Sequence, residues 1–227
     1  LSGEIPMERI KDAARRILNL KNKARLFDDQ EQVLSEITQA DKVPYYADKI
    51  AEKSINIVRD YDNILPLYLK KGDKILMLNI KKDKERTTTH YLTELDVLEE
   101  ELRCRGFEVV CYTNATREDF QDDLYNSQAV LINCKLSSQD YAGGSLRIGW
   151  DHILPFWRGE VLKHPKMVFT SFGDPYKIYD FPYLKTYVNA FSSSTATQRA
   201  FVKALLGEIP FQGKSPVSLK SFFKSNI

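Results

Sequence analysis

The chain has 227 residues, 43% hydrophobic and 28% charged, with 33 Lys and Arg against 31 Asp and Glu for a formal net charge of +2. That length suits one large domain or a domain with an appendage, and the composition is ordinary for a globular protein. The charges are interspersed without a basic block, which argues against nucleic acid or an anionic membrane as partner, and no apolar run approaches the roughly 18 residues of a membrane span.

Pro6 opens a helix predicted over residues 6 to 26, with Ile10, Ala13, Ala14, Ile17, Leu18 and Ala24 at helical spacing. Arg15, Arg16, Lys21 and Lys23 face outward, and the apolar stripe has no evident partner further along the chain. From Phe27 to Asp41 the chain turns polar and reads as a linker with at most a helical turn. Pro44 begins a second helix, about 44 to 59, with Ala47, Ile50, Ala51, Ile55 and Val58 on one face. Asp60-Tyr61-Asp62-Asn63 forms a turn, and Ile64 to Leu67 a short extended piece before a Lys-Gly-Asp turn.

After Gly72 the period changes. Residues 74 to 80 form a near-continuous apolar run, as expected for a strand covered on both faces. A helix follows over 89 to 105, with Leu92, Leu95, Leu98 and Leu102 inward and Gly106 as its stop. Further strands are predicted at 107 to 112, 129 to 134, 167 to 172 and 187 to 191. Helices are predicted at 118 to 125, at 151 to 162 despite Pro155, and at 195 to 206, the last capped from the Ser192–Thr195 cluster. Strands alternating with helices specify an α/β fold, a three-layer α/β/α sandwich on a mainly parallel sheet. Its ligands would sit outside the carboxyl ends of the strands, in the loops at 81–90, 113–117, 135–150, 173–180 and 192–195.

Several short motifs together carry a family resemblance. Gly3-Glu4-Ile5-Pro6 followed by residues 14 to 21 and Leu26-Phe27 resembles the last barrel helix of glycoside hydrolase family three. Residues 47 to 66, with Ala51, Ser54 and Ile55, resemble the start of that family's second, α/β sandwich domain. Phe172-Gly173-Asp174-Pro175-Tyr176 is similar to its strand-end motif, with Asp where Asn is commoner. Gln198, Gly207 and Gly213-Lys214-Ser215-Pro216-Val217 resemble its closing segment, with Ser215 where Leu is usual. The resemblance implies a detached last helix of a TIM barrel at 1–28, a linker at 29–43, the sandwich at 44–219, and a tail or further linker at 220–227. Its partners would be an upstream barrel of the same chain and a carbohydrate at the domain interface. The parent is then expected to be a bacterial protein of the periplasm or medium; a fragment shows no signal peptide either way.

The family's complete enzymes are retaining exo-acting β-glycosidases, which need two carboxyl groups about 5 to 5.5 Å apart. The resemblance puts the nucleophile upstream of Leu1. The β-glucosidase branch takes its acid/base glutamate from the sandwich, whereas the β-N-acetylglucosaminidase branch uses an Asp-His pair on the barrel. The corresponding loop here, residues 135 to 145, holds no glutamate and one carboxylate, Asp140. The resemblance therefore implies the N-acetylglucosaminidase branch and no catalytic residue in this chain, with Asp140 as acid/base in the alternative reading. A free-standing flavodoxin-like binding module is a third reading.

Other candidates are weighed on their own chemistry. Arg147 offers hydroxyl recognition beside Trp150 and Trp157, although Trp150 also suits a core. Asp174 and Tyr176 end a strand, where the carboxylate either bonds a sugar hydroxyl or organises its own turn. Gly143-Gly144-Ser145 fails the nucleophile-elbow spacing at Arg147, and Ser145, His152 and Asp174 form a triad on paper alone. His90, His152 and His164 lack metal spacing, so no metal is expected. No glycine follows the first strand at 81–85, so no nucleotide cofactor is expected. Cys104, Cys111 and Cys134 read as thiols without a metal or disulfide role, and the acidic run Glu118, Asp119, Asp122 and Asp123 as a solvated helix face.

Overall fold

The computed structural model describes residues 5–27, 42–81, 94–136, 148 and 160–219. The chain divides into two units, residues 1–43 and 44–227. In the first, α1 spans Met7–Lys23, entered through Pro6, whose carbonyl accepts from Arg9 N at 2.9 Å. Asp12 pairs with Arg15 and Arg16 on its polar face. None of its residues is buried, and Met7, Ile10, Ile17, Leu18 and Leu20 all stand in solvent.

The second unit is built on a six-stranded sheet. Its strands are β1 (Asn56–Asp60), β2 (Lys74–Lys81), β3 (Glu108–Thr113), β4 (Ala129–Lys135), β5 (Met167–Ser171) and β6 (Thr186–Asn189). They lie in the order β1-β6-β5-β4-β2-β3. The five strands from β2 to β6 run parallel, and β1 pairs antiparallel with β6 at the edge. Setting β1 aside, this is the 2-1-3-4-5 doubly wound order, whose topological switch point falls between β2 and β4. The apolar runs form strands because both faces are covered: all seven residues of β4 are buried, and six of the eight in β2.

Helices α2 (Val43–Ser54), α3 (Asp96–Cys104) and α5 (Thr195–Leu205) belong to one face, and α4 (Arg117–Asn126) to the other. On the first face Ala51, Leu98, Leu102 and Phe201 pack with Ile75, Met77, Leu131 and Val168. On the second, Phe120 and Leu124 pack with Leu76, Leu78, Val130 and Phe169. Gly106 and Gly207 stop α3 and α5 at φ values of 89° and 76°, in the left-handed region that side chains resist. Thr116 and Asp119 form a capping box at the start of α4, and Ser194 caps α5 by accepting from Thr197 N.

Three expectations change. The helix expected over 44–59 ends at Ser54, because residues 56–60 pair with β6; the partner that makes them a strand lies about 130 residues on, beyond the reach of local spacing. The helix expected from Thr89 begins at Asp96, after Glu94 and Leu95 outside helical structure. Of the helix expected over 151–162, residues 151–159 lie outside the described residues, and Glu160–Lys163 form a 3-10 turn. The closing tail is tied down by short contacts. Gly213 N bonds Ile55 O at 3.0 Å, Asn56 Nδ2 bonds Gly213 O at 2.8 Å, and a Cβ on Gly213 would collide with Ser54 O.

Candidate functional site

Most of the buried polar residues among those described lie at or just beyond the carboxyl ends of the parallel strands. Asn79, Asn133 and Thr170 sit side by side in register on β2, β4 and β5. By strand alternation they share the face of Met77, Leu131 and Val168, one pleat back along each strand. Asn133 and Thr170 are fully buried. Asn133 Nδ2 donates to Asn79 Oδ1 at 3.0 Å, and Asn79 Nδ2 to Cys111 Sγ at 3.2 Å. Asn133 Oδ1 and Thr170 Oγ1 find no hydrogen-bond partner among the described residues.

One pleat further on, Lys81 and Lys135 face each other in register across the switch point. Like charges directly opposite repel, and the Glu94 carboxylate lies between them, 2.9 Å from Lys81 Nζ and 3.5 Å from Lys135 Nζ. The hydrogen bond from Lys81, helped by the charge of Lys135, holds the Glu94 carboxyl below its ordinary range despite the cost of burial. Gln198, fully buried on the first turn of α5, fastens this corner. It accepts from Leu98 N at 2.8 Å and donates to Glu94 O and Ser193 O at 2.6 and 2.7 Å.

A second polar group lies after β5. Asp174 caps the 3-10 turn Pro175–Tyr179, accepting from Tyr176 N at 3.1 Å, while its other oxygen stands 2.8 Å from Nζ of the fully buried Lys177. Ser171 Oγ donates to Asp174 O at 2.6 Å, and Tyr187 OH to Pro175 O at 3.3 Å. Asp180 Oδ2 accepts from Ile148 N at 3.1 Å. Burial pushes the Cys134 thiol up to about 12 and the Cys111 thiol up to about 11, so neither is a thiolate at neutral pH.

Of the residues singled out in the sequence, Asp174 and Tyr176 stand together at the end of β5, Tyr176 at the surface and Asp174 engaged in its own turn. Asp140, Arg147, Ser145, His90, His152, Trp150 and Trp157 lie outside the described residues. His164 is bound into a turn by Lys166 N and Ser127 O. Asp123 leaves the expected solvated face, for it joins Lys74 at 2.7 Å and Tyr112 OH at 2.7 Å. No group of three or more metal-type ligands occurs among the described residues. Sequence reasoning misses Lys177 and the Asn79–Asn133 pair. The signal available for the pair is an asparagine interrupting each of two apolar strands near its carboxyl end.

No protein-family model matches the sequence. A curated protein of Cellulomonas fimi, described as a β-N-acetylglucosaminidase/β-glucosidase, is 42% identical over 50 residues, 22% of this chain and 9% of its own length. A solved β-glucoside phosphorylase, BglX, bound to 2FGlc, matches with a TM-score of 0.71 and 28% identity over 95% of this chain and 39% of its own. A glycoside hydrolase family three β-N-acetylglucosaminidase from Paenibacillus matches with a TM-score of 0.63 and 22% identity, over 94% of this chain and 40% of its own. The chain thus spans about two fifths of the length of these solved structures. Named relatives and fold together bear out the resemblance to glycoside hydrolase family three, and the mostly parallel α/β chain is consistent with that family's carboxy-terminal domain.

Proposed function

We propose that this chain is the non-catalytic carboxy-terminal sandwich of a retaining β-N-acetylglucosaminidase-like glycoside hydrolase, and that α1 is the last helix of the barrel it packs against. The observation that carries the reading is the coverage: the chain is matched along 95% of itself while filling 39% of the enzyme it resembles. The exposed apolar stripe of α1 supports it, since a helix with a hydrophobic face requires something to bury that face. In this role the loops at the carboxyl ends, among them the one bearing Asp174 and Tyr176, would shape the rim of the barrel's active site, with Arg147 as a further contact to sugar.

Three of the described carboxylates, those of Glu94, Asp123 and Asp174, agree with a supporting role. Glycoside cleavage with retention needs an ionised nucleophile and a protonated acid at close range. The carboxylates of Glu94 and Asp123 are held ionised by their cation and hydroxyl partners, which suits neither for proton donation. Asp174 is committed to its turn and to Lys177. The second reading, a β-glucosidase-like parent in which Asp140 serves as acid/base, rests on that residue's place in the loop after β4.

Both readings meet one experiment. A longer protein that includes the upstream sequence should hydrolyse an aryl N-acetyl-β-glucosaminide, and the 227-residue chain alone should not. Asp140→Asn in the longer protein should leave that rate within about twofold, whereas a general acid/base would lose a factor of about 10² or more. Turnover by the short chain alone would overturn both.

A further inference from the structure

We propose that the switch point between β2 and β4 is a binding site for a phosphate-type oxyanion, with Lys81 and Lys135 as its cations and the Glu94 carboxylate as a built-in occupant that the anion displaces. The site is independent of the glycosidase assignment, and each residue named for it is a described one.

The first ground is electrostatic. Lys135 is 8% exposed, and it lies directly across the register from Lys81. Among the described residues, two ammonium groups and one carboxylate leave a net positive charge at a place where strand ends in this fold receive ligands. A buried ammonium without an anion is costly, so the site requires a negative group at all times. Glu94 supplies one, but from the solvent side: its side chain is 44% exposed, against 9% for that of Lys135.

The second ground is mechanical. Gln198 Nε2 holds the Glu94 carbonyl at 2.6 Å, and the same side chain accepts from Leu98 N. The main chain at Glu94 is therefore fixed by a bond that does not involve its carboxylate. The side chain can swing into water while the start of α3 stays in place, and the lysines are then free to take another anion.

The third ground is the layer beneath. Asn133 Oδ1 and Thr170 Oγ1 are buried, adjacent in register and without a partner among the described residues. They lie one pleat below the lysines on the same face. Neither atom is open to solvent, so an anion on the lysines reaches them only when this layer opens; hydrogen phosphate, or a phosphate ester with its ordered water, then donates to the first and accepts from the second. A simple halide can accept from the hydroxyl but cannot donate to the amide oxygen. The three features together select a tetrahedral oxyanion over a monatomic one.

The test is thermal unfolding and calorimetry of the full chain with inorganic phosphate, glucose 6-phosphate and, at matched ionic strength, chloride. Glu94→Gln removes the internal competitor and leaves the Gln198 bond to the main chain untouched. Phosphate at about 10 mM should raise the melting temperature of Glu94→Gln more than that of the parent chain, because ligand stabilisation grows with occupancy. Its affinity should rise about fivefold or more, since the competent state is no longer shared with Glu94. Lys81→Met, a half-exposed position, should abolish the phosphate effect while the chain remains folded; Lys135→Met serves as the buried counterpart. Tighter binding of glucose 6-phosphate than of phosphate would identify an ester as the natural ligand, and equal binding the free ion. If chloride matches phosphate in both proteins, or Lys81→Met binds phosphate as well as the parent, the proposal is wrong.

Discussion

Helices α1 and α5 carry the same kind of sequence, apolar residues three and four apart with basic residues between, yet their surroundings are opposite. α5 buries seven of its eleven residues, among them Phe201 edge-on to Phe172 at 5.3 Å, while α1 buries none of its seventeen. An amphipathic stripe states that a helix has a partner and is silent on where the partner lies. For α5 the partner is the sheet of its own unit. For α1 the proposed partner is an upstream barrel.

The contrast breaks most sharply at Phe201. Phe201→Ala should cost about 3–5 kcal/mol in urea unfolding, since it empties a fully buried aromatic site. A loss under about 1 kcal/mol would show that α5 is not the core helix described. Gly213→Ala should cost about 1–3 kcal/mol, because its Cβ would meet the backbone at Ser54 and Ile55 and the tail would have to lift. Retained stability together with an unchanged crystal position of residue 213 would contradict the close approach.

Gln198→Ala should cost about 1–3 kcal/mol by leaving the buried Leu98 N–H without its acceptor. An amide exchange rate at Leu98 equal to that of the parent would count against it. Acid sharpens the comparison further. The Asp123 carboxyl is lowered chiefly by its bond from Lys74 and then by that from Tyr112. A depressed carboxyl contributes stability that is present above its unfolded value of about 4 and lost as pH falls through the folded value. Asp123→Asn should therefore flatten the pH dependence of stability below about pH 4. An unchanged slope would show that the pair contributes nothing.

The smallest effect is expected in α1. Ile17→Ser should change the stability of this chain by less than about 0.5 kcal/mol, because Ile17 is exposed. The same change in the longer protein should lower its melting temperature by a few degrees if the stripe is covered there. Equal indifference in both proteins would leave α1 without the proposed barrel contact.

Most strands are legible in the sequence because burial on both faces writes itself as an unbroken apolar run, as at 74–80 and 129–134. β1 is not, since Ile55 and Val58 also fit a helix face and only distant β6 decides between them. The carboxyl-end loops are legible as a region, and Asp174, Tyr176 and Gln198 as positions of note. Lys177 is not, because a lysine in a loop ordinarily stays in water and nothing nearby in sequence announces its burial. Lys135 reads as the first residue of a loop, whereas register with Lys81 makes it the last of a strand.

The clasp of Gly213 upon Ile55 and Asn56 joins the tail to a residue, Asn56, that lies 157 positions earlier. During synthesis the earlier of the two emerges long before the later. The start of β1 must wait without this clasp until the chain as far as Gly213 has left the ribosome. Chains released before that residue would keep this end of β1 unclasped, and local opening would begin there.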